Sequence, residues 1–325
     1  MVREFSYKLL ESDLQKTANG VAGQILKQCL HLKGHEFCHA KYIKNGITKT
    51  HADGSVEEIY VSDRLVPGDI LTVKLVDPAD SLAGDKVPAV EGPVDILYED
   101  EDLTIINKPA GIVVHPCHGH YTDTAANYLM WYYKSKGLEV VCRSIGRLDR
   151  ETSGALLFAK NKASAGRLSI YRDEGNGGHK YLALAEGHFE ERQATINKAI
   201  APVPGIKLKR QTVEDGEGQY AITHYKVLGE AVIDGIEVSF VEVSIETGRT
   251  HQIRVHMESI GHPLIGDTLY GNPEHALGMT RALLHAYEIK TIQPFTGEDI
   301  ILNAPLPEDF MSLLSKGNLW RSDIL

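Results

Sequence analysis

The residues best suited to chemistry lie in one charged loop, residues 145–154 (Ile-Gly-Arg-Leu-Asp-Arg-Glu-Thr-Ser-Gly). In this loop Asp149 has one arginine two residues before it, Arg147, and another directly after it, Arg150. Because nearby positive charge favours the ionised form of a carboxyl group, we expect Asp149 to stay ionised at neutral pH. An ionised carboxylate held in place suits nucleophilic attack better than acid catalysis. The residues alone are equally compatible with a surface loop of ion pairs and turn caps.

The loop must be positioned by the segment that follows it. Residues 155–159 (Ala-Leu-Leu-Phe-Ala) form an apolar run with the length of a buried strand, closed by Lys160 and Asn161. Alternating strands are predicted around residues 220–228 and 236–246, and the remaining helical patterns are few and short. This pattern predicts an α+β fold with a mixed, mostly antiparallel sheet.

A second polar segment precedes a predicted helix. Thr250 is the predicted N-cap of that helix, Ile253 and Met257 lie four apart on its buried face, and Gly261 ends it. His251 and His256 are five residues apart, which is not the spacing of a paired metal site on a helix. We interpret both histidines as packing or RNA-contacting residues.

The composition is that of a globular protein. The 325 residues predict about two domains, and 42% apolar residues can build a sizeable core. No run of about 18 apolar residues is present and the first residues lack an apolar signal core, so we expect a cytoplasmic protein without a membrane segment. The four cysteines show no Cys-x-x-Cys spacing and are expected to be free thiols. We expect a monomer.

The net charge of −10 argues against a general nucleic-acid binder, which usually carries a basic excess. Any contact with RNA must therefore use a local basic strip. The clearest strip is residues 206–211 (Ile-Lys-Leu-Lys-Arg-Gln), which contains Lys207, Lys209 and Arg210.

Three segments organise the chain. Residues 1–77 predict a small N-terminal α+β domain, residues 78–93 a linker with three prolines and two glycines, and residues 94–325 a larger second domain.

Within the second domain a metal site is one alternative, because His115, Cys117, His118 and His120 lie close together in sequence. A metal-dependent hydrolase would need a second cluster of complementary spacing. The sequence offers none, so we expect no metal.

Several motifs of the second domain, in order between about residues 94 and 307, resemble those of the RluA-type RNA pseudouridine synthases. They are Asn-Lys-Pro-Ala-Gly at 107–111, Gly-Arg-Leu-Asp-Arg-Glu-Thr-Ser-Gly at 146–154, His-Lys-Tyr-Leu-Ala at 179–183, His-Gln-Ile-Arg at 251–254 and Arg-Ala-Leu-Leu-His-Ala at 281–286. In the third motif His179 stands where the family has a lysine, two residues before the tyrosine. The resemblance implies an isomerase that needs no metal or organic cofactor. One departure is Gly146, which stands where many family members have a histidine.

The resemblance also implies roles for individual residues. Asp149 would be the catalytic residue, Arg254 would pair with it, and Tyr181 would lie against the target base. Leu284 would line the base pocket, and Arg147 would contact the RNA.

Residues 18–77 resemble the small RNA-binding module named after a small-subunit ribosomal protein. Lys41 and Lys44 would then contact phosphates, which positions an RNA without reading its sequence. A generic small α+β domain is the alternative. If the module binds RNA, it favours large-subunit ribosomal RNA as the substrate. The alternatives are a pseudouridine synthase that acts on transfer RNA and a non-catalytic, ribosome-associated RNA-binding protein.

Overall fold

The computed structural model describes residues 2–76, 87–206 and 208–320. By its internal contacts the chain divides into two compact units. The first holds Met1–Lys86 with the short segments Gly137–Val141 and Asn161–Ala163, and the second holds the rest. Most of the predicted linker, residues 78–86, lies outside the described residues, so the predicted boundaries at 77 and 94 stay predictions.

The first unit is a four-stranded antiparallel sheet with two short α-helices. Its strand order is β1-β4-β2-β3. In β4, alternate residues Leu71, Val73 and Leu75 are buried, which is the two-residue period of a strand with one covered face. Its elements are β1 (Val2–Lys8), α1 (Ala22–Gln28), α2 (Gly34–Phe37), β2 (Ile47–Thr50), β3 (Val56–Glu58) and β4 (Ile70–Val76).

The second unit contains twelve strands and four α-helices among the described residues. They are β5 (Ile96–Glu99), β6 (Leu103–Lys108), α3 (Ala125–Ser135), β7 (Arg143–Ser144), β8 (Ser153–Ala159), α4 (Lys162–Asp173), β9 (Gly178–Glu186), β10 (Gln193–Asn197), β11 (Ala199–Pro202), β12 (Arg210–Val213), β13 (Ile222–Ile233), β14 (Ile236–Ile245), α5 (Gln252–Ser259), β15 (Leu284–Ile292), β16 (Asp299–Asn303) and α6 (Glu308–Lys316). In the part of the chain described here, no helix is long and apolar enough to span a membrane.

Ten of these strands form one sheet in the order β10-β13-β14-β9-β15-β8-β6-β5, with β16 on β15 and β7 on β8. Every pairing is antiparallel except that of β8 with β15, which is parallel. The predicted α+β class with a mixed, mostly antiparallel sheet is therefore confirmed. Strands β11 and β12 form a separate hairpin.

The predicted buried strand is β8, and it lies in the middle of the sheet between β15 and β6. All seven of its residues are buried. Gly154 has a φ of +113°, and a Cβ at this position would lie 2.3 Å from the carbonyl oxygen of Ala286. Only glycine permits both this backbone conformation and this approach of β8 to β15.

Helix α5 begins differently from the prediction. Its N-cap is His251, which has the left-handed backbone conformation (φ 58°, ψ 19°), so the predicted N-cap Thr250 is wrong. The side chain of Gln252 fixes the entry instead: its Oε1 accepts from the Arg249 N–H at 3.0 Å, and its Nε2 donates to the Ile222 carbonyl at 2.8 Å. These bonds anchor the start of the helix to β13.

Candidate active site

Asp149 lies in the turn that leads into β8. Its carbonyl accepts a bond from the Thr152 N–H at 3.2 Å, and its side chain is half-buried. Neither flanking arginine pairs with the Asp149 carboxylate. Arg147 is exposed, and Arg150 Nε donates to the Gly111 carbonyl at 3.1 Å. Among the described residues the Asp149 carboxylate accepts no hydrogen bond and forms no ion pair. The turn therefore holds the backbone of Asp149 and leaves its carboxylate available.

A buried lysine fixes the next carbonyl of the turn. Lys108 is fully buried, and its Nζ donates to the carbonyl of Arg150 at 3.2 Å and to those of Pro109 and Ile112 at 2.8 Å. Burial lowers the pKa of Lys108 to about 7, although the negative charges of Glu151 and Asp149 oppose the shift. Lys108 thus connects the end of β6 to the Asp149 turn.

The first residue of β8 is anchored from β15. The ring of His285 is fully buried, with Nε2 3.2 Å from the Ala304 carbonyl and Nδ1 2.9 Å from Ser153 Oγ. A carbonyl only accepts, so Nε2 carries the proton and the Ser153 hydroxyl donates to Nδ1. Burial lowers the pKa of His285 to about 4, which keeps the ring neutral.

Tyr181 and Leu284 lie on one face of the sheet. Tyr181 on β9 is opposite Ala286 on β15, and Leu284 is opposite Ala183, so the four side chains share a face. Tyr181 and Leu284 are both buried. Burial raises the pKa of Tyr181, and the negative charge of Asp149 raises it further, so the phenol stays protonated at neutral pH. The structure thus brings together Tyr181, Leu284 and the charge of Asp149.

Arg254 is buried on α5, but its partner is Asp267. Arg254 Nε donates to Asp267 Oδ2 and Nη2 donates to Oδ1, both at 2.6 Å. The direct pair with Asp149 that the resemblance implied is not present among the described residues. Burial opposes the charge of Arg254, but the bonds to Asp267 outweigh it and the pKa is raised, with Asp149 adding in the same direction. Asp149 therefore acts on Arg254 through space.

The reason lies in the turn that contains Asp267. Its side chain is fully buried, and Oδ1 also accepts from the backbone N–H groups of Leu269 at 2.9 Å and Tyr270 at 3.1 Å. A carboxylate already fixed by two backbone donors is a preformed partner for a guanidinium fork. Sequence analysis missed Asp267. The available signal was an aspartate after Gly266, a common way to begin such a turn.

Tyr270, also missed, connects β12 to α5. Its hydroxyl accepts from the Arg210 N–H at 2.8 Å and lies 3.0 Å from His251 Nδ1. The Arg254 guanidinium lies 5.1 Å from the centre of its ring, and Lys209 Nζ lies 5.5 Å from it. Two of the predicted RNA-contacting cations are therefore placed next to the residue that packs against Arg254.

The two histidines of this segment, His251 and His256, differ in their surroundings. His251 lies at the N-cap beside Tyr270, and burial lowers its pKa, with the charge of Asp149 opposing the shift. His256 is fully buried, with Nδ1 2.9 Å from Thr223 Oγ1 and Nε2 3.0 Å from the Lys198 carbonyl. Both ring nitrogens of His256 are therefore engaged in hydrogen bonds within the protein.

The other predicted RNA-contacting cations are distributed more widely. Arg147 is exposed and has no partner among the described residues. Lys207 lies outside the described residues. Lys41 and Lys44 are exposed in the first unit, and Lys41 Nζ lies 5.0 Å from the centre of the Tyr42 ring. Their contact with RNA stays a prediction.

The histidine-rich segment after β6 is engaged in local hydrogen bonds. His115 Nε2 lies 2.8 Å from Ser144 Oγ, and His120 Nδ1 lies 2.7 Å from Asp123 Oδ2. Within the described ranges, no three His, Cys, Asp or Glu side chains are arranged to hold a metal ion.

The sheet and the Asp149 turn define a class of protein. Residues 102–259 match the RNA pseudouridylate synthase family. The solved structure of the human protein RNA pseudouridylate synthase domain containing 1 is 29% identical, with a TM-score of 0.57 over 72% of this chain and 90% of the human chain. The fold is that of a pseudouridine synthase domain.

Two bacterial relatives are more similar in sequence. An RNA pseudouridine synthase of Bacillus subtilis, YhcT, is 38% identical over 263 residues, which cover 80% of this chain and 85% of that protein. The ribosomal large subunit pseudouridine synthase D of Zymomonas mobilis is 38% identical over 236 residues, 69% of this chain and 72% of that protein. This chain belongs to the RluA-type RNA pseudouridine synthase family, and the predicted enzyme class, an isomerase, is confirmed.

Proposed function

We propose that this protein converts specific uridines of large-subunit ribosomal RNA to pseudouridine, with Asp149 as the catalytic residue. The choice of ribosomal RNA is supported by relatives whose names specify the large ribosomal subunit. The predicted RNA-binding role of the first unit favours the same substrate.

One observation carries the assignment of Asp149. Its backbone is fixed in the turn before the central strand β8, yet its carboxylate has no partner among the described residues. A half-buried carboxylate without a protein partner is free to react with a bound substrate. The protonated phenol of Tyr181 lies within the electrostatic reach of this carboxylate.

The reaction requires a uridine that has left the base stack. Flipping a nucleotide costs a few kcal/mol, and less where the base is already unpaired. Asp149 then acts on the flipped nucleotide, either at the ribose or at the pyrimidine ring. The bond between N1 and the ribose breaks, the uracil rotates, and ring carbon 5 bonds to the ribose. Carbon 5 loses its proton, and N1 gains one. The isomerisation is redox-neutral and needs no co-reactant.

The surrounding residues supply binding and charge. The buried guanidinium of Arg254 places positive charge near the reacting carboxylate, and Asp267 fixes its orientation. Tyr181 presents a ring for stacking on the base and a hydroxyl for proton transfer. Arg147, Lys209 and Arg210 contribute local positive charge to an acidic protein, as RNA binding requires.

Tritium release from RNA labelled at uridine carbon 5 tests the proposal. Ribosomal RNA of the large subunit and a transfer RNA pool are each incubated with the wild type and with Asp149→Asn. We expect release from ribosomal RNA by the wild type alone. Release from transfer RNA alone would replace the proposed substrate, and equal release by Asp149→Asn would remove Asp149 from the reaction. No release from either pool would favour a protein that only binds RNA.

A further inference from the structure

The guanidinium of Arg281 bonds to the turn that carries Asp149, although the two lie far apart in sequence. Arg281 precedes β15, and its Nη1 donates to the carbonyl of Glu151 at 3.2 Å and to that of Ala282 at 3.1 Å. Glu151 lies two residues after Asp149, within the turn closed by Thr152. Arg281 therefore restrains the backbone beside the candidate catalytic carboxylate.

A carboxylate of α6 fixes Arg281 from the other side. Arg281 Nε donates to Asp309 Oδ2 at 2.6 Å, and Nη2 donates to Oδ1 at 2.8 Å. This two-point pairing uses the planar geometry of the guanidinium and orients it as well as neutralising it. The Arg281 side chain is only 8% exposed, so solvent does not replace these bonds.

The position of Asp309 is set by the core of the second unit. Asp309 lies in the first turn of α6, and Oδ1 accepts from the Phe310 N–H at 2.7 Å. Phe310, Leu313 and Leu314 of the same helix are buried in the core with Phe240. The packing of α6 thus fixes Asp309, and Asp309 fixes the guanidinium that bonds to the Asp149 turn.

We infer that Arg281 is a positioning residue for Asp149 and that Asp309 acts through Arg281. The two carbonyls that follow Asp149 each accept a bond from a buried basic side chain, Lys108 for Arg150 and Arg281 for Glu151. Fixed carbonyls fix the peptide planes of the turn, and with them the direction in which the Asp149 side chain leaves the backbone. The inference rests on the proposed function, because it assigns these residues to the reaction at Asp149.

Arg281→Gln tests the inference in the full-length protein. A misplacement of about 1 Å lowers rates by up to about 100-fold, so we expect kcat to fall about 10- to 100-fold with KM within about twofold of the wild type. Amide exchange of the Thr152 N–H, followed by mass spectrometry of residues 148–154, is expected to accelerate about 10-fold or more. Wild-type kcat together with wild-type exchange would overturn the inference.

Asp309→Asn and the double variant show whether Asp309 acts through Arg281. Residues in one network are non-additive, so the double variant is expected to have the kcat of Arg281→Gln alone. Additive losses would contradict a path through Arg281. Lys316→Ala on the same helix is the matched control, because it removes only the exposed ion pair with Asp234. If Arg281→Gln does not fold, Asp309→Asn and its amide exchange decide the question.

The two kinds of measurement separate the failure of this inference from that of the proposed function. If the wild type releases no tritium from any RNA, the proposed function fails, and amide exchange still shows whether Arg281 orders the turn. If the wild type is active and Arg281→Gln matches it in both kcat and exchange, only the inference fails.

Discussion

The turn at Asp149 and the turn at Asp267 each place a carboxylate close to the guanidinium of Arg254, but the two carboxylates differ in burial and in hydrogen bonding. Asp267 is fully buried and accepts from two nitrogens of Arg254 and from two backbone N–H groups. Asp149 is half-buried, and its carboxylate has no partner among the described residues. The difference separates a structural carboxylate from one that is available to a substrate.

The two turns also show how positive charge is shared. The fork of Arg254 is committed to Asp267, so its charge can act on Asp149 without an ion pair that the substrate would have to break. The backbone of the Asp149 turn is in turn held by Lys108 and Arg281. Basic side chains therefore hold the backbone of the Asp149 turn, whereas Arg254 holds the side chain of Asp267.

The largest effect is expected at the available carboxylate. Asp149→Asn should lower turnover by at least about 10³-fold, because removing a nucleophile or base removes the chemical step. Unfolding free energy should change by less than about 0.5 kcal/mol, since no described contact is lost. Tritium release, urea unfolding and filter binding of RNA measure the three properties. A parallel loss of RNA binding would assign Asp149 to binding rather than to the reaction.

The reciprocal change tests the structural carboxylate. Asp267→Asn should reduce the free energy of unfolding by about 3–5 kcal/mol, because it leaves the buried Arg254 charge without its counterion. Urea unfolding measures this directly. Asp234→Asn is the control, because it removes an exposed pair with Lys316 and should cost at most about 1 kcal/mol. Equal losses in the two variants would contradict the distinction between the turns.

A third prediction concerns pH and the anchor at the start of β8. The pKa of His285 is about 4 in the folded protein and about 6.5 when unfolded, so the unfolded chain binds more protons between these values. The contribution of the neutral ring is complete above pH 6.5. It is lost as the pH falls towards 4, by up to about 3 kcal/mol. His285→Gln should flatten this part of the stability profile, and an unchanged slope in urea unfolding would contradict the assignment.

The smallest effect is expected at Gly146, where the family often has histidine. Gly146 has a φ of +86°, and a Cβ there would lie 3.3 Å from Arg172 Nη1. Gly146→Ala should therefore cost about 1–2 kcal/mol of unfolding free energy from backbone strain. Gly166→Ala on α4 is the control, since a Cβ there meets nothing within 4 Å. Equal stability of the two variants would show that the loop adapts.

Local pattern predicted much of the fold. The apolar run after the Asp149 loop identified β8, and the four-residue spacing of Ile253 and Met257 identified helix α5, in which both residues are buried. These features depend on neighbours within one element, which periodicity records. The resemblance assigned Tyr181 to the target base and Leu284 to the base pocket, and the strand pairing places both residues on one face of the sheet.

The pairings across the molecule were not predictable in this way. Asp267 lies 13 residues from Arg254, and Arg281 lies 130 residues from Glu151. Such contacts depend on which turns the sheet brings together, and a single sequence carries no periodic signal for them. The N-cap of α5 was missed for a related reason, because the side chain of Gln252 fixes the entry in place of Thr250.

Gly154 takes no part in the reaction, yet it should tolerate substitution as poorly as a catalytic residue does. Any side chain there meets the carbonyl of Ala286 at 2.3 Å, at a backbone angle that other residues rarely adopt. A saturation scan that scores activity would therefore report positions 149 and 154 as equally intolerant. Under the proposed function, Asp149 cannot change because of the chemistry of its side chain, whereas Gly154 cannot change because it has no side chain.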